Sequence, residues 1–366
     1  MRFIRQQRFL RVKIDMVTRC QLRCIMCHFA RPDFQVDHTT MSDDLLQKVA
    51  ADIFPRAHDV TLSSSAEPLL APNLNLALDL CTKYCVPSFH FSTNGIALNE
   101  DIVDKCIDVK MRVLTISVDA ATKETFEAIR PPAKWDWLMS RFDLIRERKR
   151  MKKSEFPALS VTAVLMRRNI HEMPDLVRLM KKKGVSYMNF THIVDLKAPD
   201  FENETLMNSP KLCNDTLAEV QKVADEEGIA VALPPPMRDK ISDVPILSED
   251  DTQTLESHSI GEFINQKNRV FILAVKEKVH HKRLCYFPWY YIHVIPSGMV
   301  WPCGCWLEYT FFGSFVTQTF REIWTGEKYR KLRNQIIKMK LRDTCANCAI
   351  MDMAWLATKK GILSSS

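Results

Sequence analysis

Residues 11–27 read RVKIDMVTRCQLRCIMC, a predicted strand followed by three closely spaced cysteines. The cysteines stand at positions 20, 24 and 27, in the spacing C-x3-C-x2-C. A closed thiolate site for a metal needs four ligands, so a site with three ligands leaves one coordination position open. The stretch therefore predicts a loop at the end of a strand that binds a metal-containing cofactor with one position free.

A structural zinc ion is the alternative explanation of these cysteines. Zinc favours four tetrahedral ligands, and His28 stands directly beside Cys27 as a further donor. Two adjacent residues rarely both reach one tetrahedral ion. The sequence therefore favours a cofactor over zinc at this loop.

Strand-like and helix-like segments alternate from this loop to about residue 232. Predicted strands such as DVTLSSS and MRVLTISVDA are separated by predicted helices such as MSDDLLQKVAADIF, whose expected N-cap is Ser42. This alternation predicts an α/β fold with a parallel sheet covered by helices. About six units indicate a partial (β/α)6 TIM-like barrel, whose active site lies at the C-terminal ends of the strands.

The rest of the chain breaks this pattern. Residues 233–259 are rich in proline and in acidic or polar residues, which predicts a linker or a substrate-facing segment. From residue 285, CYFPWYYIHVIPSGMVWPCGCW predicts a β-hairpin turning at Pro296-Ser297-Gly298, with a helical segment after it. The predicted units are the barrel (1–232), the linker (233–284), a small cysteine-rich domain of a hairpin and a helix (285–354) and a frayed tail (355–366).

Composition excludes several classes of protein. The 366 residues are 46% hydrophobic and 26% charged, which is ordinary for a globular protein. The net charge of +7 is spread along the chain, whereas a nucleic-acid-binding protein concentrates its charge on one face. The start has no signal-peptide core and no run reaches about 18 uncharged apolar residues, so we expect no membrane span and a cytoplasmic location.

The chain has 12 cysteines, which in a reducing compartment are free thiols or metal ligands rather than disulfides. They cluster at the two ends of the chain. Cys81, Cys85, Cys106 and Cys213 lie between the clusters in apolar, helix-like contexts. We therefore expect these four to be small buried hydrophobic side chains.

The loop CQLRCIMC, placed after the first strand of a βα barrel, resembles the cluster-binding loop of the radical S-adenosylmethionine (SAM) enzymes. The resemblance implies that Cys20, Cys24 and Cys27 hold three irons of a 4Fe–4S cluster, while the fourth iron chelates SAM. One electron from such a cluster cleaves SAM to a 5′-deoxyadenosyl radical, which takes a hydrogen atom from the substrate. The open coordination position would then belong to the cosubstrate.

Two later strand ends resemble the SAM-binding motifs of that family. Ser65-Ala66-Glu67-Pro68 is similar to a Gly-Gly-Glu-Pro stretch that supports the SAM amino group, although both glycines are absent here. The resemblance still assigns Glu67 to SAM. The stretch FSTNG matches the third strand end, which would bring Ser92, Thr93 and Asn94 near SAM.

The stretch ISVDAATKETFEAIRP is similar to the fourth strand of the family and the helix after it. The resemblance implies that Ser117 and Asp119 face the ribose of SAM. It also implies that Arg130 reaches the SAM carboxylate, which a guanidinium group suits. Met26 departs from the family, which often has an aromatic residue beside the adenine, but methionine is apolar and adaptable.

The C-terminal cysteines resemble the shortened SPASM domain, or twitch domain, of the same superfamily. That resemblance implies a second, auxiliary 4Fe–4S cluster held by Cys285, Cys303, Cys345 and Cys348. Cys305 competes with Cys303 as the ligand, although Cys303 holds the family position five residues after the hairpin glycine. A zinc ribbon is the alternative, since C-x2-C plus two hairpin cysteines is also a zinc-binding pattern.

Four cysteine ligands would close the auxiliary cluster, so the resemblance implies that this cluster transfers electrons and does not bind substrate. An oxidation uses such a cluster: the radical removes hydrogen from carbon, a base removes the hydroxyl proton, and the cluster accepts the electron. The cysteine spacing resembles that of twitch-domain dehydrogenases of aminocyclitol biosynthesis, which oxidise a sugar-like secondary alcohol. We therefore expect an oxidoreductase acting on a carbohydrate-like small molecule.

A peptide maturase is the alternative function. Such enzymes frequently carry a peptide-binding domain before the first cysteine, whereas 19 residues precede Cys20 here. An iron–sulfur or zinc scaffold protein is a third, non-enzymatic alternative. The resemblance also implies a flavodoxin or ferredoxin-like electron donor, which the positive charge of this chain would help to dock.

The sequence leaves the catalytic base open. His192 and Asp195 lie at the end of a predicted strand, on the expected active-site face. The other candidates are His28, His293, Cys305 and, as a substrate clamp, Arg238.

Overall fold

The computed structural model describes residues 8–34, 37–63, 65–194, 200–237, 285–304, 310–338, 340, 341 and 345. Its strands are β1 (Leu10–Ile14), β2 (Ala57–Leu62), β3 (Ser88–Thr93), β4 (Val113–Ser117), β5 (Ala158–Leu165), β6 (Tyr187–His192), β7 (Ala230–Ala232), β8 (Tyr291–Val294) and β9 (Val300–Trp301). Its α-helices are α1 (Asp43–Ile53), α2 (Leu74–Lys83), α3 (Glu100–Asp108), α4 (Lys123–Ile129), α5 (Trp135–Met151), α6 (Met173–Lys182), α7 (Phe201–Glu204), α8 (Pro210–Glu227), α9 (Phe287–Tyr290), α10 (Phe320–Trp324) and α11 (Glu327–Ile337).

The nine strands form one sheet in the order β7-β6-β5-β4-β3-β2-β1-β8-β9. Every neighbouring pair is parallel except the hairpin pair β8 and β9. The first and last strands of this order do not pair within the described residues, so the barrel is open. The predicted partial α/β barrel is therefore confirmed, and the C-terminal hairpin continues its sheet.

Side chains on the strands alternate between two environments. One face is apolar and buried against the helices, as Val12 and Ile14 on β1 and Phe89 and Phe91 on β3 illustrate. The opposite face is mostly polar, with Val113 and Val164 as apolar exceptions, and lines the interior of the barrel. At the N-terminal ends of the strands this interior is a cavity of about 520 Å³, lined by Arg11, Asp59, Ser88, His90, Thr115, Ser160 and Tyr187 among others.

Local signals explain where several helices begin and end. Ser42 caps α1 as predicted, because its hydroxyl accepts a hydrogen bond from the Leu45 N–H. Gly228 ends α8 in the left-handed conformation, with φ of 62°, which glycine adopts without a steric cost. Cys81, Cys106 and Cys213 are buried as expected, but Cys85 is exposed and has a φ of 49° just after α2.

The predicted hairpin is confirmed, since Gly298 donates its N–H to the Ile295 carbonyl at the turn between β8 and β9. The helical segment after it is divided into α10 and α11 at Gly326. A Cβ atom on Gly326 would lie 2.8 Å from the Glu322 carbonyl oxygen, so this close approach requires glycine. Asp195, Arg238, Cys305 and Cys348 lie outside the described residues, as do most of the predicted linker and the tail.

Candidate active site at the cysteine loop

The cysteine loop follows β1 and is fixed by its own backbone. The Arg23 N–H donates to the Pro131 carbonyl at 2.7 Å, and the Ile25 N–H donates to the Ile129 carbonyl at 3.0 Å. These bonds attach the loop to the end of α4. The three cysteines therefore lie at the C-terminal ends of the strands, where the fold predicts the active site.

The three thiols lie close to one another. Cys24 is buried, and Cys20 and Cys27 are half-buried. Burial raises the pKa of each thiol, and the charge of a neighbouring cysteine raises it further in every case. An incoming iron cluster would therefore displace protons from a compact group of thiols.

The arrangement fits a cluster better than a single ion. Within the described ranges, no three His, Cys, Asp or Glu side chains are placed as the ligands of one metal ion would be. Three thiolates that each bind a different corner of a 4Fe–4S cluster need not converge on one point, and cysteine thiolate is the usual ligand of such clusters. The donor set and its spacing therefore suit the cluster.

Glu67 connects the loop after β2 to the end of β3. Its carboxylate, which is 3% exposed, accepts hydrogen bonds from the Leu69 N–H, the Thr93 hydroxyl and the Asn94 N–H. Burial raises the pKa of Glu67, and these hydrogen bonds oppose that shift. Asn94 in turn places its side-chain Nδ2 3.8 Å from Sγ of Cys20.

Arg130 lies on the other side of the cysteine loop. Its Nε donates to Oδ2 of Asp119 at 2.6 Å, and its Nη1 lies 3.8 Å from Sγ of Cys24. Burial lowers the pKa of Arg130, but Asp119 and the nearby thiols outweigh that effect and hold it above its usual value. A permanent cation is thus fixed against the cysteine loop.

The structure brings Glu67, Asn94 and Arg130 next to the loop, with Asp119 bound to Arg130, and it places two further predicted SAM ligands, Ser92 and Ser117, on the barrel interior. Ser92 is exposed on β3 and Ser117 is half-buried on β4. Both lie near the C-terminal ends of their strands, on the polar face. Their assignment to SAM remains a prediction.

The described base candidates differ in their surroundings. His192 lies on the same side of β6 as Phe190, which faces the helices. Its Nε2 is 3.2 Å from the Pro235 carbonyl oxygen. Burial lowers the pKa of His192, and that hydrogen bond opposes the shift. His28 packs against the rings of Phe29 and Phe34, with centroids 4.6 Å apart in each pair.

His293, a predicted base candidate, is paired with Asp15, which was not among the predicted site residues. The two residues form a buried pair, with Nε2 of His293 2.8 Å from Oδ2 of Asp15. Asp15 directly follows β1, the position at which parallel strands place active-site residues, and this was the signal available in the sequence.

The C-terminal cysteines flank the hairpin. Cys285 precedes α9, Cys303 follows β9, and Cys345 lies beyond α11. All three are half-buried against the hydrophobic core. The structure thus places Cys285 and Cys303 at the two ends of the hairpin segment that joins the barrel sheet.

Comparison with protein families gives two matches. Residues 14–180 match the radical SAM superfamily, and residues 285–349 match SPASM, an iron–sulfur cluster-binding domain.

Within the described part of the chain, the helices are too short or too polar to cross a bilayer.

Known proteins resemble this chain over most of its length. The AdoMet-dependent heme synthase of Methanosarcina barkeri is 22% identical over 340 residues, covering 91% of this chain and 86% of the relative. A tungsten-containing aldehyde ferredoxin oxidoreductase cofactor-modifying protein of Pyrococcus furiosus is 21% identical, covering 93% and 87%.

Solved structures share the fold. Streptococcus suis SuiB bound to S-adenosylmethionine superimposes with a TM-score of 0.61 at 12% identity, covering 95% of this chain and 72% of SuiB. The protein anSMEcpe with bound AdoMet gives a TM-score of 0.59 at 16% identity, covering 93% and 84%.

These matches agree with the three-cysteine loop and with the cysteine-flanked hairpin. The radical SAM domain implies a 4Fe–4S cluster and SAM as cosubstrate, and the SPASM domain implies auxiliary iron–sulfur binding. Such an enzyme also needs a reductant and a substrate. The chain therefore combines a radical SAM domain, residues 14–180, with a C-terminal SPASM domain, residues 285–349.

Proposed function

We propose that this enzyme dehydrogenates a hydroxylated, carbohydrate-like small molecule, such as an aminocyclitol, inside the open barrel. The observation that carries the proposal is the polar interior face of the sheet. Beyond the N-terminal cavity, every second residue along β2 to β6 faces this interior; the polar ones are Thr61, Ser92, Ser117, Thr162, Asn189 and Thr191, and Val164 is the apolar one.

These side chains are chemically matched to a polyol. Hydroxyl and amide groups can each donate and accept hydrogen bonds, as the hydroxyl groups of a sugar do. An apolar substrate would leave such groups without partners, at a cost in binding free energy. Ser92 is exposed, so the interior is open to solvent near the cysteine loop.

The chain supplies sites for the cofactors that an oxidation needs. Cys20, Cys24 and Cys27 would hold the first cluster, while Asn94 and Arg130 lie beside it to orient SAM. When bound, the cofactors supply a deoxyadenosyl radical that takes a hydrogen atom and an auxiliary cluster that takes up one electron. The protein must then position the substrate and accept the hydroxyl proton.

The second cluster would be held by Cys285, Cys303, Cys345 and Cys348, with Cys305 as the competing ligand. We further propose a flavodoxin or ferredoxin-like protein of the cytoplasm as the reductant. A peptide substrate is the alternative, because SuiB has been solved with its precursor peptide SuiA. At 11% identity that likeness supports a shared fold and does not extend to the substrate.

Substrate-dependent formation of 5′-deoxyadenosine tests the proposal. The reconstituted protein would be incubated anaerobically with SAM, dithionite and either a panel of cyclitols and aminocyclitols or a panel of peptides. We expect a cyclitol deuterated at the carbinol carbon to transfer deuterium into 5′-deoxyadenosine and to form a ketone. Stimulation by peptides alone would overturn the proposal in favour of the alternative.

A further inference from the structure

We propose that His293 takes the proton from the substrate hydroxyl, while Asp15 orients the imidazole ring and Trp301 holds the hydroxyl oxygen. This inference rests on the proposed dehydrogenation and assigns residues within the same barrel interior. It is carried by three observations: a buried Asp–His pair, two buried polar atoms without partners, and the position of β8 in the sheet.

The Asp15–His293 pair fixes the hydrogen on one ring nitrogen. The distance from Nε2 of His293 to Oδ2 of Asp15 is 2.8 Å, and the residues are 2% and 3% exposed. Asp15 also accepts hydrogen bonds from the Ser65 hydroxyl at 2.7 Å and the Ser65 N–H at 3.3 Å. A carboxylate so placed accepts from the Nε2–H of a neutral imidazole, which leaves Nδ1 as the basic nitrogen.

Nδ1 of His293 is buried and has no hydrogen-bond partner among the described residues. The same is true of Nε1 of Trp301, whose ring meets the His293 ring edge-on with centroids 5.4 Å apart. One atom is an acceptor and the other a donor, and buried groups of this kind normally have partners. A hydroxyl group satisfies both, because it donates to Nδ1 and accepts from the indole N–H.

The position of β8 between β1 and β9 places His293 beside residues of both strands. His293 lies opposite Lys13 of β1 in the parallel pair and opposite Trp301 of β9 in the hairpin. The charged side chains on this face of the adjoining β1 are Arg11 and Lys13, and Asp15 follows directly after the strand. Along the chain, Trp301 stands two residues before Cys303, and Asp15 stands five residues before Cys20.

The proposed step is a proton transfer. The O–H bond of the substrate breaks, an N–H bond forms at Nδ1 of His293, and the electron pair stays on oxygen. The imidazolium that results is stabilised by the carboxylate of Asp15. Proton acceptance by a positioned side chain contributes about 10²- to 10⁴-fold to a rate.

The first test examines the ring itself and needs no substrate. The imidazole nitrogens of the reconstituted wild-type protein, with oxidised clusters, would be observed by long-range ¹H–¹⁵N NMR after ¹⁵N-histidine labelling. The signal absent from the His293→Gln spectrum identifies His293. We expect a neutral ring with hydrogen on Nε2, whereas an imidazolium ion or hydrogen on Nδ1 would overturn the proposal.

The second test separates the proton step from SAM cleavage. Glutamine at position 293 retains an N–H for Asp15 but has no basic nitrogen. We expect His293→Gln to form 5′-deoxyadenosine in the absence of substrate at a rate within about twofold of wild type, while cyclitol oxidation falls by about 100-fold or more. Added imidazole should partly restore oxidation in His293→Gly.

The matched control is His58→Gln, which changes a histidine at the start of β2, separated from β8 by β1 and at the end remote from the cysteine loop. It should oxidise the cyclitol as wild type does. Oxidation by His293→Gln at more than a third of the wild-type rate would overturn the role of His293. Absence of SAM cleavage in the wild type would instead overturn the proposed function, and the NMR result would still decide the state of the ring.

Discussion

Nε of Arg130 and Oδ2 of Asp119 lie 2.6 Å apart, with side-chain exposures of only 9% and 0%. The resemblance to the family assigned Asp119 to the ribose of SAM. In the structure its carboxylate is engaged by Arg130 and by the Val164 N–H. Asp119 therefore acts on the site by holding Arg130 against Cys24.

The first prediction concerns this buried ion pair. Asp119→Asn leaves the Arg130 cation without its counter-charge in a buried site, so the free energy of unfolding should fall by about 3 kcal/mol. Urea unfolding of the anaerobic protein measures it. Asp136→Asn, which breaks the exposed Lys123–Asp136 pair, is the control and should have no measurable effect. Equal decreases in the free energy of unfolding for the two variants would contradict the prediction that the buried Arg130–Asp119 pair matters more than an exposed pair.

The second prediction concerns Glu67 and SAM. Glu67→Gln replaces one carboxylate oxygen with an amide group that donates hydrogen bonds. The glutamine side chain therefore cannot accept from both the Thr93 hydroxyl and the Asn94 N–H as the carboxylate does. Asn94 then loses its fixed position beside Cys20. We expect the dissociation constant for SAM to rise about tenfold, which corresponds to a loss of about 1.4 kcal/mol of binding free energy. The iron content should be unchanged.

Glu172→Gln is the matched control for this measurement. Glu172 also accepts three hydrogen bonds, from the N–H groups of Ala121 and Thr122 and from the Thr122 hydroxyl. Glu172 directly precedes α6, and its partners lie at the start of α4, away from the cysteine loop. Calorimetric titration with SAM should give the wild-type affinity for this variant. A tenfold loss of SAM affinity in both variants would mean that Glu67→Gln acts by destabilising the fold in general and not by displacing Asn94.

The third prediction concerns the pH dependence of a thiol in the core. Burial raises the pKa of Cys106 to about 12. A raised folded pKa keeps this thiol protonated as pH rises past the unfolded value, so folding opposes its ionisation up to about pH 12. Iodoacetamide at about pH 8.5 should therefore leave Cys106 unlabelled in the folded protein, since the thiolate is the nucleophile.

Mass spectrometry of the labelled peptides checks this, with exposed Cys85 as the internal control that should be labelled. Labelling of both cysteines in urea shows that the protection of Cys106 depends on the fold. Rapid modification of Cys106 in the folded protein would contradict its position in the core.

Much of the fold follows from local sequence patterns. The alternation of strands and helices, the Ser42 cap and the hairpin turn at Gly298 are each set by residues close together in the chain. The barrel and the cysteine loop could therefore be predicted. The break at Gly326 was not predicted, because the residues on both sides continue one helical pattern; in the structure Gly326 has an extended backbone, with φ of −67° and ψ of 166°.

The unpredicted features depend on contacts between distant parts of the chain. The pairing of β8 with β1 extends the barrel sheet into the C-terminal domain, and no local pattern specifies it. That pairing brings His293 to Asp15 across 278 positions of sequence. Cys85 was expected in the core from its apolar neighbours, but the chain turns there with a positive φ after α2 and exposes it.

The central claim is that the two groups of cysteines hold two separate clusters and that the first one cleaves SAM. The most direct test counts iron and sulfide in the anaerobically reconstituted wild type and in a Cys20, Cys24, Cys27→Ala triple variant. We predict about eight irons per chain falling to about four, with 5′-deoxyadenosine formed after dithionite and SAM by the wild type alone. Zinc in place of iron, or no SAM cleavage by the wild type, would contradict the account.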